Sequence, residues 1–403
     1  MSKSIPRNLI EAVESALRLI FEGGKYADQV IESTLKKNRK WGSRDRRFIA
    51  ENVYDIVRWW RWVITCGEIE EKDAQRFLKA IRTWFILQNK EEIPPFVEGI
   101  PAGKVIENSN AFKSVRAIRE SIPDWLDELG FKELDSPWNI ELQALNEQAS
   151  AVLRVNTLKV TREALKKSLK GAGIGTEELS PYPDALLLTE RANVFQFPMF
   201  KEGWFEMQDA SSQLVGPFLD VLPGMRVVDA CAGAGGKTLH LAALMQGKGH
   251  ILALDTEGWK LQELRHRARR DGAGTIETRT IDSTKVIKRL HLSADRVLLD
   301  VPCSGLGVLR RNPDAKWKLS LEHIQRMKLL QQEILQNYSK MVKPGGKLVY
   351  ATCSILPSEN QVQIEEFLST HPEFSLEEEK QVLPSAGFDG FYMARMVLVR
   401  GEA

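Results

Sequence analysis

Residues 229–238, DACAGAGGKT, form a glycine-rich stretch that is typical of a turn built to hold a ligand. A Walker phosphate loop that ended in this GKT would need a glycine where the chain has Cys231. A dinucleotide fingerprint that used the glycines of this stretch would need its third glycine where the chain has Thr238. The stretch therefore excludes both motifs and predicts a flexible turn preceded by an acid, Asp229.

Carboxylates further along the chain indicate what this turn binds. Asp255 and Asp282 end two later strand-like segments. An acid at the position of Asp255 suits ribose hydroxyls, and Asp282 is placed to accept a hydrogen bond from the amine of adenine. A ligand with ribose and adenine but no need for a phosphate cradle is S-adenosylmethionine. The alternative is that these aspartates cap the helices that follow the strands.

Two cysteines lie in polar surroundings at neighbouring strand ends, Cys303 in DVPCSG and Cys353 in ATCS. Carbon 5 of a pyrimidine takes a methyl group only after a thiolate has added to carbon 6 and created an enamine, and cysteine suits that step. Asp300 can protonate or hydrogen-bond ring nitrogen 3 as the thiolate adds, and a second thiol can assist expulsion of the first. Cys66 and Cys231 are predicted to be packing residues.

These side chains need a scaffold that gathers strand ends at one crevice. After residue 220, strand-like and helical segments alternate strictly, and the strand-like ones are 225–230, 250–255, 277–282, 295–300 and 345–354. Such alternation predicts a parallel, doubly wound α/β sheet, whose ligands lie beyond the carboxyl ends of the strands. Residues 152–204 alternate between short helical and extended pieces, which predicts a small α+β cap.

The first ~90 residues have helical periodicity, for example Ile10, Val13, Ala16, Leu17 and Ile20, which predicts an all-α region. Paired prolines at 94 and 95 indicate a connection after it. Seven of the twelve residues in 36–47, KKNRKWGSRDRR, are Lys or Arg, and Trp41 lies among them. Basic charge beside an aromatic ring suits a nucleic-acid backbone with an unstacked base, although a solvated helix end is an alternative.

Composition indicates which broad classes of protein this chain can belong to. The 403 residues are 43% hydrophobic and 27% charged, as expected for a globular protein of two or three domains. No apolar run approaches the ~18 residues of a membrane span, and no signal-peptide core is evident, so a cytoplasmic protein is expected. The spacing of the four cysteines and six histidines predicts neither a disulfide framework nor a metal site.

The motifs DACAGAGGKT, LDVPCSGLGVLRRNPD, YATCS and DGFYMAR resemble those of the Sun/RsmB-type RNA cytosine carbon-5 methyltransferases in their order and spacing. With RVNTLK and GWFEMQDASSQLV, the resemblance covers roughly residues 120–400. It implies that Cys353 is the nucleophile, that Cys303 assists product release and that Asp300 contacts the target base. A DNA cytosine methyltransferase, in which the Pro-Cys cysteine attacks, is the first alternative, and a ribosome-assembly factor that binds RNA without methylating it is the second.

The same resemblance implies S-adenosylmethionine as the cofactor. One departure from the family is that Gly233-Ala234 stand where Ala-Pro is usual, which predicts a more flexible turn and modestly weaker cofactor binding. The implied cofactor-binding residues are Cys231, Ala232, Gly233, Ala234, Gly235, Gly236, Lys237, Asp255, Asp282 and Asp300.

The helical region, with SRDRRFIAENVYDIVRWWRW, is similar to the NusB-like RNA-binding domain of the ribosomal RNA enzymes in this family. This similarity favours ribosomal RNA over transfer RNA as the partner, and a packed helical domain that only supports the enzyme is the alternative. LRRNPDAKWK, residues 309–318, is predicted to hold phosphates and stack beside an extruded cytosine. The predicted RNA-binding residues are Lys36, Lys37, Arg39, Arg46, Arg310, Arg311 and Trp317.

The sequence therefore predicts three domains. Residues 1–125 are predicted to form an all-α NusB-like RNA-binding domain, residues 126–205 a small α+β cap, and residues 206–403 a Rossmann-like methyltransferase domain. The predicted partner is RNA, with no metal and no membrane.

Overall fold

The structure, a computed structural model, describes residues 5–89 and 98–399. The chain divides into a helical unit, Met1–Glu147 with Leu309–Leu321, and an α/β unit, Gln148–Val308 with Glu322–Ala403. The prolines at 94 and 95 that predict a connection lie outside the described residues.

The helical unit is built on amphipathic helices. In the first of them, the predicted apolar face is confirmed, because Ile10, Val13, Ala16, Leu17 and Ile20 are all buried. The helices before residue 147 are α1 (Arg7–Phe21), α2 (Ala27–Lys37), α3 (Ser43–Arg58), α4 (Trp60–Cys66), α5 (Arg76–Leu87), α6 (Ala102–Phe112), α7 (Arg116–Arg119), α8 (Asp124–Leu134) and α9 (Trp138–Leu145).

Helices α8 and α9 belong to this unit, so its first segment ends at Glu147, whereas the predicted domain ends at residue 125. A buried polar contact explains the difference. Asp127 accepts hydrogen bonds from Arg116 Nε at 2.7 Å and from the indole N–H of Trp138 at 2.8 Å, and the Trp138 side chain is fully buried. One carboxylate thus ties α7, α8 and α9 together.

The α/β unit opens with a small antiparallel sheet in the strand order β2-β3-β1-β4. Its apolar core includes Leu153, Val155, Leu165, Leu169 and Leu186. The strand predicted at 152–159 is therefore confirmed for residues 152–155, and the chain turns after Val155. The elements of this part are β1 (Val152–Val155), α10 (Arg162–Gly171), β2 (Thr176–Leu179), β3 (Tyr182–Leu188), α11 (Pro198–Lys201) and β4 (Phe205–Met207).

A seven-stranded sheet follows, in the order β10-β11-β9-β8-β5-β6-β7. Strands β7, β6, β5, β8 and β9 are parallel, and β11 lies antiparallel between β9 and β10. The remaining elements are α12 (Ala210–Phe218), β5 (Arg226–Asp229), α13 (Gly236–Leu244), β6 (His250–Asp255), α14 (Gly258–Asp271), β7 (Ile276–Thr280), α15 (Thr284–Lys288), β8 (Ala294–Asp300), α16 (Ala315–Lys318), α17 (Leu321–Tyr338), β9 (Val342–Thr352), α18 (Gln361–Thr370), β10 (Phe374–Val382) and β11 (Phe391–Leu398).

The five predicted strands of this sheet are confirmed, and β6 has the predicted bounds. The sequence patterns do not predict β10 and β11. In β10, residues 375–380 are all exposed, so the strand lacks the alternation of buried and exposed side chains that indicates a half-buried strand. The Rossmann-like α/β fold is as predicted, with a mixed rather than wholly parallel sheet.

Strand order decides where a ligand can enter. After β5 the chain moves to β6 on one side, and it later returns to β8 on the other side. Beyond the carboxyl end of β5, the flanking loops diverge and leave a crevice. Asp229 is the last residue of β5, and Asp300 is the last residue of the neighbouring β8.

Candidate active site

The glycine-rich turn joins β5 to α13 at this crevice. Gly233 and Gly235 have left-handed backbone conformations, with φ angles of 55° and 89°. A Cβ atom at Gly235 would lie 2.1 Å from Leu264 Cδ1, whereas nothing lies within 4 Å of the corresponding position at Gly233. Gly235 is therefore required for both its φ angle and its close approach to α14.

Asp255, at the end of β6, is held against this turn. Its Oδ2 accepts a hydrogen bond from the Gly233 N–H at 2.8 Å, and its Oδ1 accepts from the Glu257 N–H at 2.8 Å. Asp282 follows β7, is exposed, and accepts a hydrogen bond from the Ser283 hydroxyl at 3.1 Å. Both carboxylates therefore lie at the carboxyl edge of the sheet, on the strands where the sequence predicts ribose and adenine contacts.

A cavity of about 270 Å³ lies between the turn and the end of β8. Lys237 reaches across it, and its Nζ lies 2.7 Å from Asp300 Oδ2. Burial opposes the charged form of Lys237, but the Asp300 carboxylate outweighs that effect and raises the pKa of Lys237. The cavity is lined by Gln208, Ser212, Asp229, Cys231, Ala232, Gly233, Ala234, Gly236, Lys237 and Asp300.

Most predicted cofactor residues thus lie around one cavity, and the sequence motifs did not identify two of its polar side chains, Gln208 and Ser212. Gln208 donates a hydrogen bond to the Ser212 hydroxyl at 3.0 Å. Both belong to the stretch MQDASS, which the resemblance covers without giving it a role. A polar cluster before the first strand of the large sheet was the available signal.

Asp229 is almost fully buried at the floor of the cavity. Its Oδ2 accepts a hydrogen bond from the Thr238 hydroxyl at 2.7 Å. Burial raises the pKa of Asp229 to about 7, and the nearby Asp300 carboxylate adds to this shift. With two acids and one lysine on its wall, the cavity suits a ligand that carries positive charge. The amino and sulfonium groups of S-adenosylmethionine meet that requirement, so the residues fit this cofactor.

The two predicted catalytic thiols lie together. Cys303 Sγ and Cys353 Sγ are 3.5 Å apart, although 50 residues separate them in the sequence. Strands β8 and β9 are parallel neighbours with Asp300 opposite Ala351, so the segments that follow both strands emerge side by side. The hydrogen bond with Cys353, followed by burial, raises the pKa of the Cys303 thiol well above its usual range.

The other two cysteines differ from this pair. Cys66 is buried in the helical unit, and burial raises the pKa of its thiol to about 12. This agrees with the predicted packing role. Cys231 lies in the turn and lines the cavity, and burial raises the pKa of its thiol as well.

The predicted RNA-binding residues of the first basic segment fall into two groups. The side chains of Lys36, Lys37 and Arg39 are exposed, as an RNA contact requires. Arg46 is different, because its guanidinium donates hydrogen bonds to the backbone carbonyls of Leu35 and Trp41 at 3.0 Å each. The prediction that Arg46 binds RNA is therefore corrected: this side chain closes the loop between α2 and α3.

A second correction concerns the segment Leu309–Leu321, which belongs to the helical unit. Arg310 is only 3% exposed and donates a hydrogen bond to the carbonyl of Ala144 at 2.7 Å. The indole N–H of Trp317 donates to the carbonyl of Val57 at 2.7 Å, and its ring packs on the helical core. Burial of Arg310 contradicts the prediction that it contacts RNA, whereas Arg311 and Trp317 are half-buried and their RNA contacts stay predictions.

Metal binding and membrane insertion are two further properties that the described residues can be compared with. Within 5–89 and 98–399, no group of three or more His, Cys, Asp or Glu side chains is arranged to hold a metal ion. Over the same ranges, no helix combines the length and the apolar character that crossing a membrane requires.

Comparison with family models gives two matches. Residues 217–397 match the model described as 16S rRNA methyltransferase RsmB/F. Residues 122–195 match the model described as the ferredoxin-like domain of RsmF/B-like methyltransferases. These ranges include both thiols, most of the small antiparallel sheet and the cavity residues from Asp229 onward, but not Gln208 or Ser212.

Individual proteins extend this similarity. The chain is 33% identical over 404 residues to the probable ribosomal RNA small subunit methyltransferase B of Synechocystis sp., covering 90% of this chain and 89% of that protein. It is 36% identical over 282 residues to the ribosomal RNA small subunit methyltransferase B of Vibrio cholerae, covering 68% of this chain and 64% of that protein.

Solved structures show the same fold. The crystal structure of PH0851 covers 98% of this chain and is itself covered completely, with 26% identity and a TM-score of 0.82. A methyltransferase homologue from Pyrococcus horikoshii covers 70% of this chain, with 98% of its own length matched, 27% identity and a TM-score of 0.63.

Proposed function

This chain belongs to the RsmB/F family of S-adenosylmethionine-dependent methyltransferases, and we propose that it methylates carbon 5 of a cytosine in ribosomal RNA through a covalent adduct with Cys353. The observation that carries the proposal is the pair of thiols, Cys303 and Cys353, with Sγ atoms 3.5 Å apart at the carboxyl edge of the sheet. Methylation of a base nitrogen or a ribose oxygen needs no thiol, whereas carbon 5 of a pyrimidine needs one.

Binding of the cofactor is assigned to the turn and its acids. Gly233 and Gly235 let the backbone approach the ligand closely, and Asp255 and Asp282 are assigned to its ribose and adenine. Lys237 fixes Asp300 at the wall of the same cavity. S-adenosylmethionine supplies an electrophilic methyl group when it is bound.

The chain's own residues then handle the base. The Cys353 thiolate forms a bond to carbon 6, and Asp300 in its protonated form donates its proton, or a hydrogen bond, to ring nitrogen 3, so that carbon 5 becomes nucleophilic. After carbon 5 has been methylated, its proton must leave while the sulfur–carbon 6 bond breaks and its electron pair returns to Cys353. Cys303 is the neighbouring group that we assign to accept that proton and so release the product.

Ribosomal RNA is the proposed substrate because the Synechocystis and Vibrio cholerae relatives are named for the small ribosomal subunit. The exposed basic side chains Lys36, Lys37 and Arg39 in the helical unit are proposed to hold its phosphates. Extrusion of the target base is required, since carbon 5 and carbon 6 are inaccessible in a stacked helix.

The proposal is tested by incubating the full-length enzyme with small-subunit ribosomal RNA and methyl-labelled S-adenosylmethionine. The RNA is then digested to nucleosides and analysed by mass spectrometry. Labelled 5-methylcytidine is the expected product. A label on another atom would overturn the carbon 5 assignment. In a parallel reaction with DNA, label transfer to DNA but not to RNA would identify a DNA enzyme. RNA binding without any transfer would identify a non-methylating assembly factor.

A further inference from the structure

The residues that follow the two cysteines are held by one carboxylate. Ser304 comes directly after Cys303, and Ser354 comes directly after Cys353. Their hydroxyl oxygens are 3.2 Å apart, and both donate to Oε2 of Glu359 at 2.5 Å. The two loops that carry the thiols are therefore joined through a single oxygen atom.

The second oxygen of Glu359 is occupied as well. Its Oε1 accepts from the Ser304 N–H at 2.8 Å and from the side-chain amide of Gln331 at 3.1 Å. The same amide donates to the carbonyl of Pro302 at 2.9 Å, one residue before Cys303. Four donors on two oxygens give each accepting position of the carboxylate a partner, as a fully buried polar group such as Glu359 requires.

Glu359 is itself fixed to the end of β9. The Tyr350 hydroxyl donates to the Glu359 carbonyl at 2.7 Å. The adjacent Asn360 accepts from the Thr352 hydroxyl at 2.6 Å and donates to the Ser354 carbonyl at 3.0 Å. A rigid carboxylate can hold both loops in one register, whereas a mobile one could not.

Each of the two thiols interacts electrostatically with a charged side chain. The hydrogen bond with Cys353 and burial are the main causes of the raised pKa of Cys303, and the negative charge of Glu359 adds to them. Lys237 interacts with the other thiol: burial lowers the pKa of Lys237, but Asp300 outweighs burial, and the Cys353 sulfur raises this pKa further. The carboxylate of Glu359 thus acts on Cys303, and the Cys353 sulfur interacts with Lys237.

We propose that Glu359 is a positioning residue that sets the separation of the two thiols and keeps the proton on Cys303, so that Cys353 is the sulfur that becomes a thiolate. The catalytic meaning of this inference rests on the proposed function. Once Cys353 is bonded to carbon, its charge no longer opposes ionisation of Cys303. Cys303 can then lose its proton to solvent and act as the base that the last step needs.

The test measures alkylation of each thiol, which needs no RNA and is therefore independent of the proposed reaction. The full-length protein is treated with iodoacetamide between pH 6 and pH 10, and the Cys303 and Cys353 peptides are quantified by mass spectrometry. In the unmodified protein, Cys353 is expected to react about ten-fold faster than Cys303 at pH 7.5. In Glu359→Gln, this ratio is expected to fall about ten-fold because Cys303 ionises more readily.

The control is Glu365→Gln, which neutralises an exposed glutamate on α18 and should leave the ratio unchanged. Binding of S-adenosylmethionine shows that each variant is folded. An unchanged ratio in folded Glu359→Gln would overturn the proposal, even if methylation is observed. If the ratio of Cys353 to Cys303 alkylation falls in Glu359→Gln but carbon 5 methylation is not observed, the effect of Glu359 on the thiols is supported and the proposed function fails.

A second pair of variants covers the case in which Glu359→Gln does not fold. Ser304→Ala and Ser354→Ala each remove one of the two hydroxyls that donate to Glu359, and they leave the Glu359 side chain in place. Each is expected to lower kcat about ten-fold with little change in the KM for RNA, because positioning affects the reacting atoms and not substrate capture. Unchanged kcat in both variants would overturn the positioning role.

Discussion

Cys303 Sγ lies 3.5 Å from Cys353 Sγ, because the two cysteines follow the neighbouring parallel strands β8 and β9. This distance allows one sulfur to act on a base that is bonded to the other. The two roles can be separated by removing each thiol in turn.

Replacing Cys353 with Ala should abolish methylation, because no sulfur is left to add to carbon 6 of the base. Binding of S-adenosylmethionine, measured by calorimetry, should be unchanged, since Cys353 is not among the side chains that line the cofactor cavity. Methyl transfer at even a few per cent of the original rate would contradict the nucleophilic role of Cys353.

Replacing Cys303 with Ala should instead trap a covalent RNA–protein complex, because Cys353 can still add to the base but product release is blocked. The complex should migrate as a denaturant-stable band on a gel. Its disappearance in the double variant with Cys353→Ala is the control. A trapped species in the Cys353→Ala variant alone would mean that the two roles must be exchanged.

Two glycine variants test the cofactor turn. Gly235→Ala should weaken S-adenosylmethionine binding at least about 30-fold, because it combines a left-handed φ angle, which costs about 1–2 kcal/mol, with a clash against Leu264. Gly233→Ala has the φ penalty without the clash and should weaken binding less, by about 5- to 30-fold. Equal affinities for the two variants in a titration would contradict the packing argument.

Asp229 makes stability depend on pH. An unfolded Asp ionises near pH ~4, whereas burial raises the pKa of Asp229 to about 7 in the folded protein. Between these values the unfolded chain binds fewer protons than the folded one, so Asp229 reduces stability progressively as pH rises from ~4 to ~7.

Asp229→Asn should remove this slope. Relative to the unmodified protein, the variant should gain on the order of 3 kcal/mol in its free energy of unfolding between pH 5 and pH 8, measured by urea titration without cofactor. Asp282→Asn, at an exposed position, is the control and should show little such gain. If the free energies of unfolding of Asp229→Asn and the unmodified protein differ by the same amount at every pH, the pKa of Asp229 is not raised.

The basic segment gives a prediction for RNA binding. The triple variant Lys36→Ala, Lys37→Ala and Arg39→Ala should bind RNA more weakly, and its salt dependence should be shallower by about 0.7–0.9 in log–log slope for each phosphate that is no longer neutralised. Stability should change little, because these side chains are exposed. An unchanged slope would place the RNA on another surface.

Arg46→Ala is the matched comparison within the same segment. It should destabilise the helical unit by roughly 1.5–3 kcal/mol, since a charged donor to the carbonyls of Leu35 and Trp41 is removed. Denaturant unfolding measures this change. A purely RNA-binding Arg46 would leave stability unaffected and lower affinity instead.

Local patterns predicted much of this protein. Alternating strand-like and helical segments predicted the five parallel strands, because each segment has a hydrophobic period that does not depend on distant residues. The acids and cysteines at strand ends could be assigned to one crevice, since all parallel strands end at the same edge. The polar strand β10 escaped prediction because only its pairing with β11 makes it a strand.

The α/β fold, the crevice and the residue types that meet there therefore follow from local periodicity and the direction of the strands. Tertiary structure alone decided which charged side chains remain available. Arg310 and Ala144 are separated by 166 residues in the sequence. Their hydrogen bond uses Arg310 for packing, although the sequence pattern predicts that this arginine binds RNA. The same holds for Glu359, whose carboxylate meets Ser304 only because distant loops fold onto it. Burial and hydrogen bonding of a long polar side chain depend on partners remote in the chain, and no local pattern contains them.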